Sequence, residues 1–160
     1  MAKILKNKGF MMVEILVAAS IIAVAVLAVM GVAQKSISIS RQSLHNTQAG
    51  FLMEEGAEAV RTLRDAAWTN ISSLTPGTNY YPVYTSASNT WSLSTTPNTV
   101  GIFTRKVTMA SVNRDNSTSD ISAGGSNDPG TKLMTVTVSW LEGGTTLTKT
   151  LTFYITDLFS

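Results

Sequence analysis

Between Lys8 and Lys35 the chain carries one ionisable side chain, the carboxylate of Glu14. Nineteen residues follow it, Ile15 to Ala33, with no charge and with Ser20 as their single polar side chain. As a helix that run measures roughly 29 Å, close to the ~30 Å hydrocarbon thickness of a bilayer. A carboxylate at the border of such a segment is costly unless a cation meets it, so it marks a binding role with a partner to be named. Helix capping is the plain alternative, because free N–H groups and the positive dipole end also favour an anion at a helix start.

Other reactive side chains are sparse. His45 is the sole histidine and sits beside Leu44 in a helical pattern, where a surface or half-buried role suits it better than that of a general base. The serines have no base partner in any recognisable motif, and hydrolase, zinc-protease, phosphate-loop and dinucleotide fingerprints are all missing. No enzymatic activity, cofactor or metal is expected. Asp115, Asn116, Asp120 and Asp128 offer oxygen ligands for calcium, but their spacing matches no EF-hand, and they read as turn residues of a polar loop over 113–131. Such a loop suits contacts that vary between proteins.

The element that must hold Glu14 is a 160-residue chain with 44% hydrophobic and 14% charged residues, enough for one domain with an appendage. It contains no cysteine, which removes disulfides, thiol nucleophiles and cysteine-ligated metals. The formal charge of +2 misleads. Lys3, Lys6 and Lys8 lie in the first nine residues, and without them nine Lys/Arg face ten Asp/Glu. Arg105, Lys106, Arg114, Lys132 and Lys149 are scattered among acids and form no basic, aromatic-lined groove, so no nucleic-acid partner is expected. A basic segment followed by an apolar run is the order of a secretory signal, yet no small-x-small cleavage site follows the run.

Lys8-Gly9-Phe10-Met11-Met12-Val13-Glu14, leading at once into the apolar run, resembles the class III signal of type IV pilins and pseudopilins. The resemblance implies that a prepilin peptidase cuts on the cytoplasmic side between Gly9 and Phe10, and that the same enzyme N-methylates Phe10. It further implies that Glu14 meets the terminal ammonium of a neighbouring subunit in a helical filament. Gly9 leaves the scissile bond unshielded by a Cβ, and a paired Glu14 fixes axial register where an unpaired one would be a buried orphan charge. The segment Glu54 to Arg61 is similar to a stretch in cysteine-free pilin-like proteins, though a solvated face explains its charges as well.

Beyond Ala33 the pattern stays helical. Leu44, Gln48, Leu52, Gly56, Val60, Leu63 and Ala67 recur at spacings of three and four, with Phe51, Ala59 and Trp68 widening the stripe. A helix from Phe10 to about Trp68 is roughly 88 Å long. Gly31 weakens it near the membrane exit, and Glu58–Arg61 and Arg61–Asp65 are placed to pair along it. After Trp68 the composition turns to Ser, Thr, Asn and Gly. A short edge segment over 80–84 and strands over 100–112, 132–142 and 145–156 are expected, the last two joined by a hairpin at Glu142-Gly143-Gly144. Phe103, Val107 and Met109, then Met134, Val136, Val138 and Trp140, then Leu147, Leu151, Phe153 and Ile155 mark the buried face, which the helix stripe must cover. Phe159 is a candidate addition to that core.

The expected fold is α+β, a long N-terminal helix on a small antiparallel sheet. It comprises a leader (1–9), a transmembrane or filament-core helix (10–33), an amphipathic continuation (34–68) and a β-rich head (69–160). The resemblance implies a minor pilin or pseudopilin with its N-terminus in the cytoplasm and its head outside, first in the inner membrane and then in a pilus or in a secretion or competence pseudopilus. The implied partners are the prepilin peptidase, other pilin subunits, the inner-membrane assembly machinery and the lipid bilayer. The competing expectation is a monomeric, membrane-anchored binding domain whose signal anchor is never cut.

Overall fold

The computed structural model describes residues 8–158; for residues 8–10 it describes the backbone only. Residues 1–7 of the expected leader, and the expected core residue Phe159, lie outside the described residues. Helix α1 runs Lys8–Ala66, uninterrupted by proline, since the first proline of the chain is Pro76. Gly31 stays within it. The chain divides into two compact units, Met1–Leu44 and His45–Ser160.

In the first unit, the described part of α1 is apolar and exposed from Met11 to Val32, apart from Glu14 and Ser20. Ser20 Oγ donates to the Val17 carbonyl at 2.8 Å, which satisfies that hydroxyl inside the helix. The helix is long and apolar enough to cross a membrane by length and composition.

The second unit is an α+β head. The last part of α1 packs on an antiparallel sheet with strand path β3 (Thr99–Val100), β4 (Phe103–Arg114), β6 (Ser126–Glu142) and β7 (Thr145–Thr156). A two-residue strand β5 (Ile121–Ser122) pairs with the end of β4. A separate hairpin joins β1 (Tyr81–Thr85) to β2 (Thr90–Ser94), and Tyr80 bridges it to Val107 on β4. Helix α1 ends at Ala66, two residues earlier than expected, and a single turn α2 (Thr69–Ser72) follows. The Asn70 side-chain amide donates to the Leu63 carbonyl at 2.9 Å, which also accepts from the Ala67 N–H at 3.2 Å, and so ties α2 to the end of α1.

The period-two patterns on β4, β6 and β7 hold. Phe103, Val107, Met109, Met134, Val136, Val138, Trp140 and Ile155 are buried, with Leu147, Leu151 and Phe153 packed at the margin. The middle of the expected helix stripe holds, with Leu52, Gly56, Val60 and Leu63 turned to the sheet, while its two ends do not. Leu44, Gln48 and Ala67 are exposed, and the buried face comprises Ala49, Gly56, Ala57, Ala59 and Val60, supported by Leu52, Met53 and Leu63. Small side chains win these positions because the sheet comes close: a Cβ on Gly56 would lie 2.8 Å from Val136 Cγ1. Phe51, expected to widen the stripe, is 67% exposed.

The expected loop over 113–131 is mostly strand. β4 continues to Arg114 and β6 begins at Ser126, with a register shift between Ser111 and Val112. Ser111 faces Lys132 while Val112 faces Asp128, so the three intervening residues of β6, Pro129 among them, bulge out of the ladder. A proline has no N–H to donate and is tolerated at such a bulge. The expected strand over 100–112 is divided by a turn at Gly101-Ile102, and β2 has no counterpart in the expectation. The hairpin at Gly143-Gly144 forms, both residues at positive φ (57° and 83°), as a tight two-residue turn requires. Glu58 pairs with Arg61 at 3.4 Å, but Asp65 pairs with Arg64 at 2.8 Å, because Arg61 instead lies over the Phe153 ring at 5.3 Å.

Two glycines of α1 should respond with opposite signs. Gly56→Ala should lower head stability by about 1–3 kcal/mol through overpacking against Val136. Gly50→Ala, which meets nothing within 4 Å, should raise it by up to ~1 kcal/mol through helix propensity. Denaturant unfolding of the full chain in detergent, followed by circular dichroism, measures both.

Candidate functional site

Glu14 lies on α1 beyond the first turn, which contains no acidic residue. Capping therefore does not account for it in the unprocessed chain, since the free N–H groups of a helix belong to its first turn. Among the described residues Glu14 has no hydrogen-bond or ion-pair partner. With Ser20 satisfied by its own helix, this carboxylate is the one polar group in the apolar run that still needs a partner. An ionised carboxylate only accepts hydrogen bonds, so that partner must be a donor, and in a low-dielectric setting a cation. The expected cut between Gly9 and Phe10 falls at the start of the α1 backbone, and the Phe10 side chain is not described.

In the head, the tertiary structure brings together charged residues that looked scattered along the chain. Arg105 sits on the inner face of β4 and is 3% exposed. Its Nη1 donates to Glu55 Oε2 at 2.7 Å, and its guanidinium lies 5.5 Å from the centre of the Trp91 ring. Its Nε is buried without a partner. The pairing fastens α1 to β4, and β2 closes over it. Strand alternation signalled that position 105 points inward, but a cation there was legible only as a charge among others.

His45 Nδ1 pairs with Glu142 Oε2, which also accepts from Trp140 Nε1 at 3.3 Å. The His45 ring meets Phe103 edge-on with centroids 6.1 Å apart. This arrangement ties the start of the head's helix to the end of β6, a positioning role in keeping with the half-buried helix residue expected.

The four oxygen donors considered for calcium do not converge into a ligand set. Asp128 is held by Arg114 Nε at 2.6 Å, and Asp115 accepts from Ser117 and Thr118 within its own turn. Hydrogen bonding by Thr131, then by Arg114, holds the Asp128 carboxyl below the usual carboxylate range. The Ser117 hydroxyl, then the Ser117 and Thr118 amides, do the same for Asp115. No cluster of three potential metal ligands occurs among the described residues.

The outer face of the sheet is hydroxylated. Thr108, Thr135 and Thr152 share one rung, and Thr104, Ser139 and Thr148 another. Between them Lys106 shares a rung with Thr137 and Thr150. Two rungs depart from this chemistry: Ala110, Leu133 and Tyr154, and the exposed Leu141 opposite Thr146.

No family model, curated protein or solved structure matches the chain.

Glu55→Gln should destabilise the head by about 1–2 kcal/mol, a charged hydrogen bond discounted for the half-exposed carboxylate. Adding Arg105→Met should recover part of that loss, because the orphan buried charge is removed. Chemical denaturation of the single and double variants tests this coupling. A folded-state pKa held low at Asp128 gives stability that is present above the unfolded value of about 3.9 and is lost as pH falls through the folded value. Asp128→Asn should therefore flatten the acid limb of the stability profile below about pH 4, read from unfolding midpoints across pH.

Proposed function

We propose that the chain is a type IV pilin-like subunit, a minor pilin or pseudopilin, that assembles into a filament. The observation that carries this reading is Glu14, a carboxylate without a partner among the described residues on an otherwise apolar, exposed helix, four residues after Phe10 in a Gly-Phe-x-x-x-Glu motif. Removal of residues 1–9 by a prepilin peptidase creates an ammonium at Phe10. In a bundle of such helices, the Glu14 of one subunit accepts that cation from a neighbour, and each pairing sets one axial step. The exposed apolar surface supports the same reading, because it suits lipid before assembly and helix packing afterwards. The head then stands outside the membrane, and its α1–sheet packing keeps it folded through extraction from the bilayer.

Mass spectrometry of the protein from cells with an active prepilin peptidase should give a terminus at Phe10 carrying one methyl group. An intact Met1 would favour the uncleaved tether. Glu14→Ala should leave the head folded and abolish or strongly reduce recovery of the subunit in sheared filaments; unchanged recovery would remove the register role.

A further inference from the structure

The rung of Ala110, Leu133 and Tyr154 borders a cleft of about 410 Å³ beside β5. Tyr154 and Leu133 form one side, Ile121 and Ser122 the other, and Ser111 and Asn113 line it from β4. Tyr154 is 51% exposed, on a strand whose other outward residues are threonines. Its hydroxyl, the Ser111 hydroxyl and the Asn113 amide have no partner among the described residues. The lining carries no Asp, Glu, Lys, Arg or His. Arg114, next along β4, is already engaged by Asp128, Thr131 and the Ser119 carbonyl.

We propose that this cleft binds a neutral saccharide. An exposed aromatic ring offers an electron-rich face to the weakly positive C–H face of a pyranose, while hydroxyl and amide groups around it exchange hydrogen bonds with the sugar hydroxyls. The volume suits one or two sugar rings. A nucleotide or nucleic acid would also stack on Tyr154, but its phosphates need cations that the cleft lacks. A purely apolar ligand would leave the Tyr154 hydroxyl and the Asn113 amide without partners. Beyond the cleft the threonine rungs continue the same uncharged, hydrogen-bonding chemistry along the sheet, so a longer glycan has a surface to follow. The site lies within the head and does not depend on whether the chain polymerises.

The test is saturation-transfer NMR on the full chain in a non-glycosidic detergent, with cellobiose and chitobiose as probes and glucose 6-sulfate as the anionic control. The expected result is saturable, millimolar binding with transfer to the sugar ring C–H protons. Tyr154→Ala should weaken it about tenfold, the size of a lost aromatic contact, and Tyr84→Ala, an exposed aromatic on β1, should leave it unchanged. Ala123→Phe, which fills the cleft and keeps Tyr154, should abolish it and guards against misfolding of the tyrosine variant. Three results would each overturn the proposal: no saturable transfer from either disaccharide, equal binding by the Tyr154→Ala and wild-type proteins, or tighter binding of the sulfated sugar.

Discussion

The inner face of β4, β6 and β7 presents Phe103, Val107, Met109, Val136, Val138 and Trp140 to one side, and water has to be kept from all of them at once. Helix α1 does this with some of its smallest residues. Ala49, Gly56, Ala57 and Ala59 let the helix backbone approach the sheet until a single added carbon at Gly56 would collide with Val136. Large residues such as Leu52, Met53 and Leu63 are left to seal the margins. A chain without cysteine relies on this close contact, and on the pairing of β7 along its whole length with β6, to hold its last strand in place.

Within that contact the polar groups work as fasteners. Arg105 with Glu55 joins helix to β4, and His45 with Glu142 joins helix to the end of β6. Both carboxylates are at the edge of the interface, where water still screens them, so the Arg105 cation is paired without two charges being buried in full. Glu14 differs from these head carboxylates. Its surroundings are apolar and no cation within the described chain reaches it, which is why a second molecule enters the proposed function at that residue and not elsewhere.

Elements with strict alternation were legible from residue order. β6 ends and β7 begins where Gly143-Gly144 says they must, and their threonine and aliphatic faces point as the pattern requires. The segment between Asn113 and Thr131 was not, because its Asn, Asp, Ser and Gly residues have weak intrinsic strand preference and are held by pairing with strands already formed. The same holds for β2, whose serine and threonine residues become a strand only against β1.

Residue order alone determined the long apolar run, the lone carboxylate at its border and the faces of the best-formed strands, since periodicity and charge are local properties of the chain. The tertiary structure decided how far along α1 the buried face extends, that the inward Arg105 meets Glu55, and that Tyr154 stands beside Ile121 across a cleft. These depend on how closely two surfaces distant in sequence can approach. That distance is set by the shapes of both partners together, so neither segment encodes it on its own.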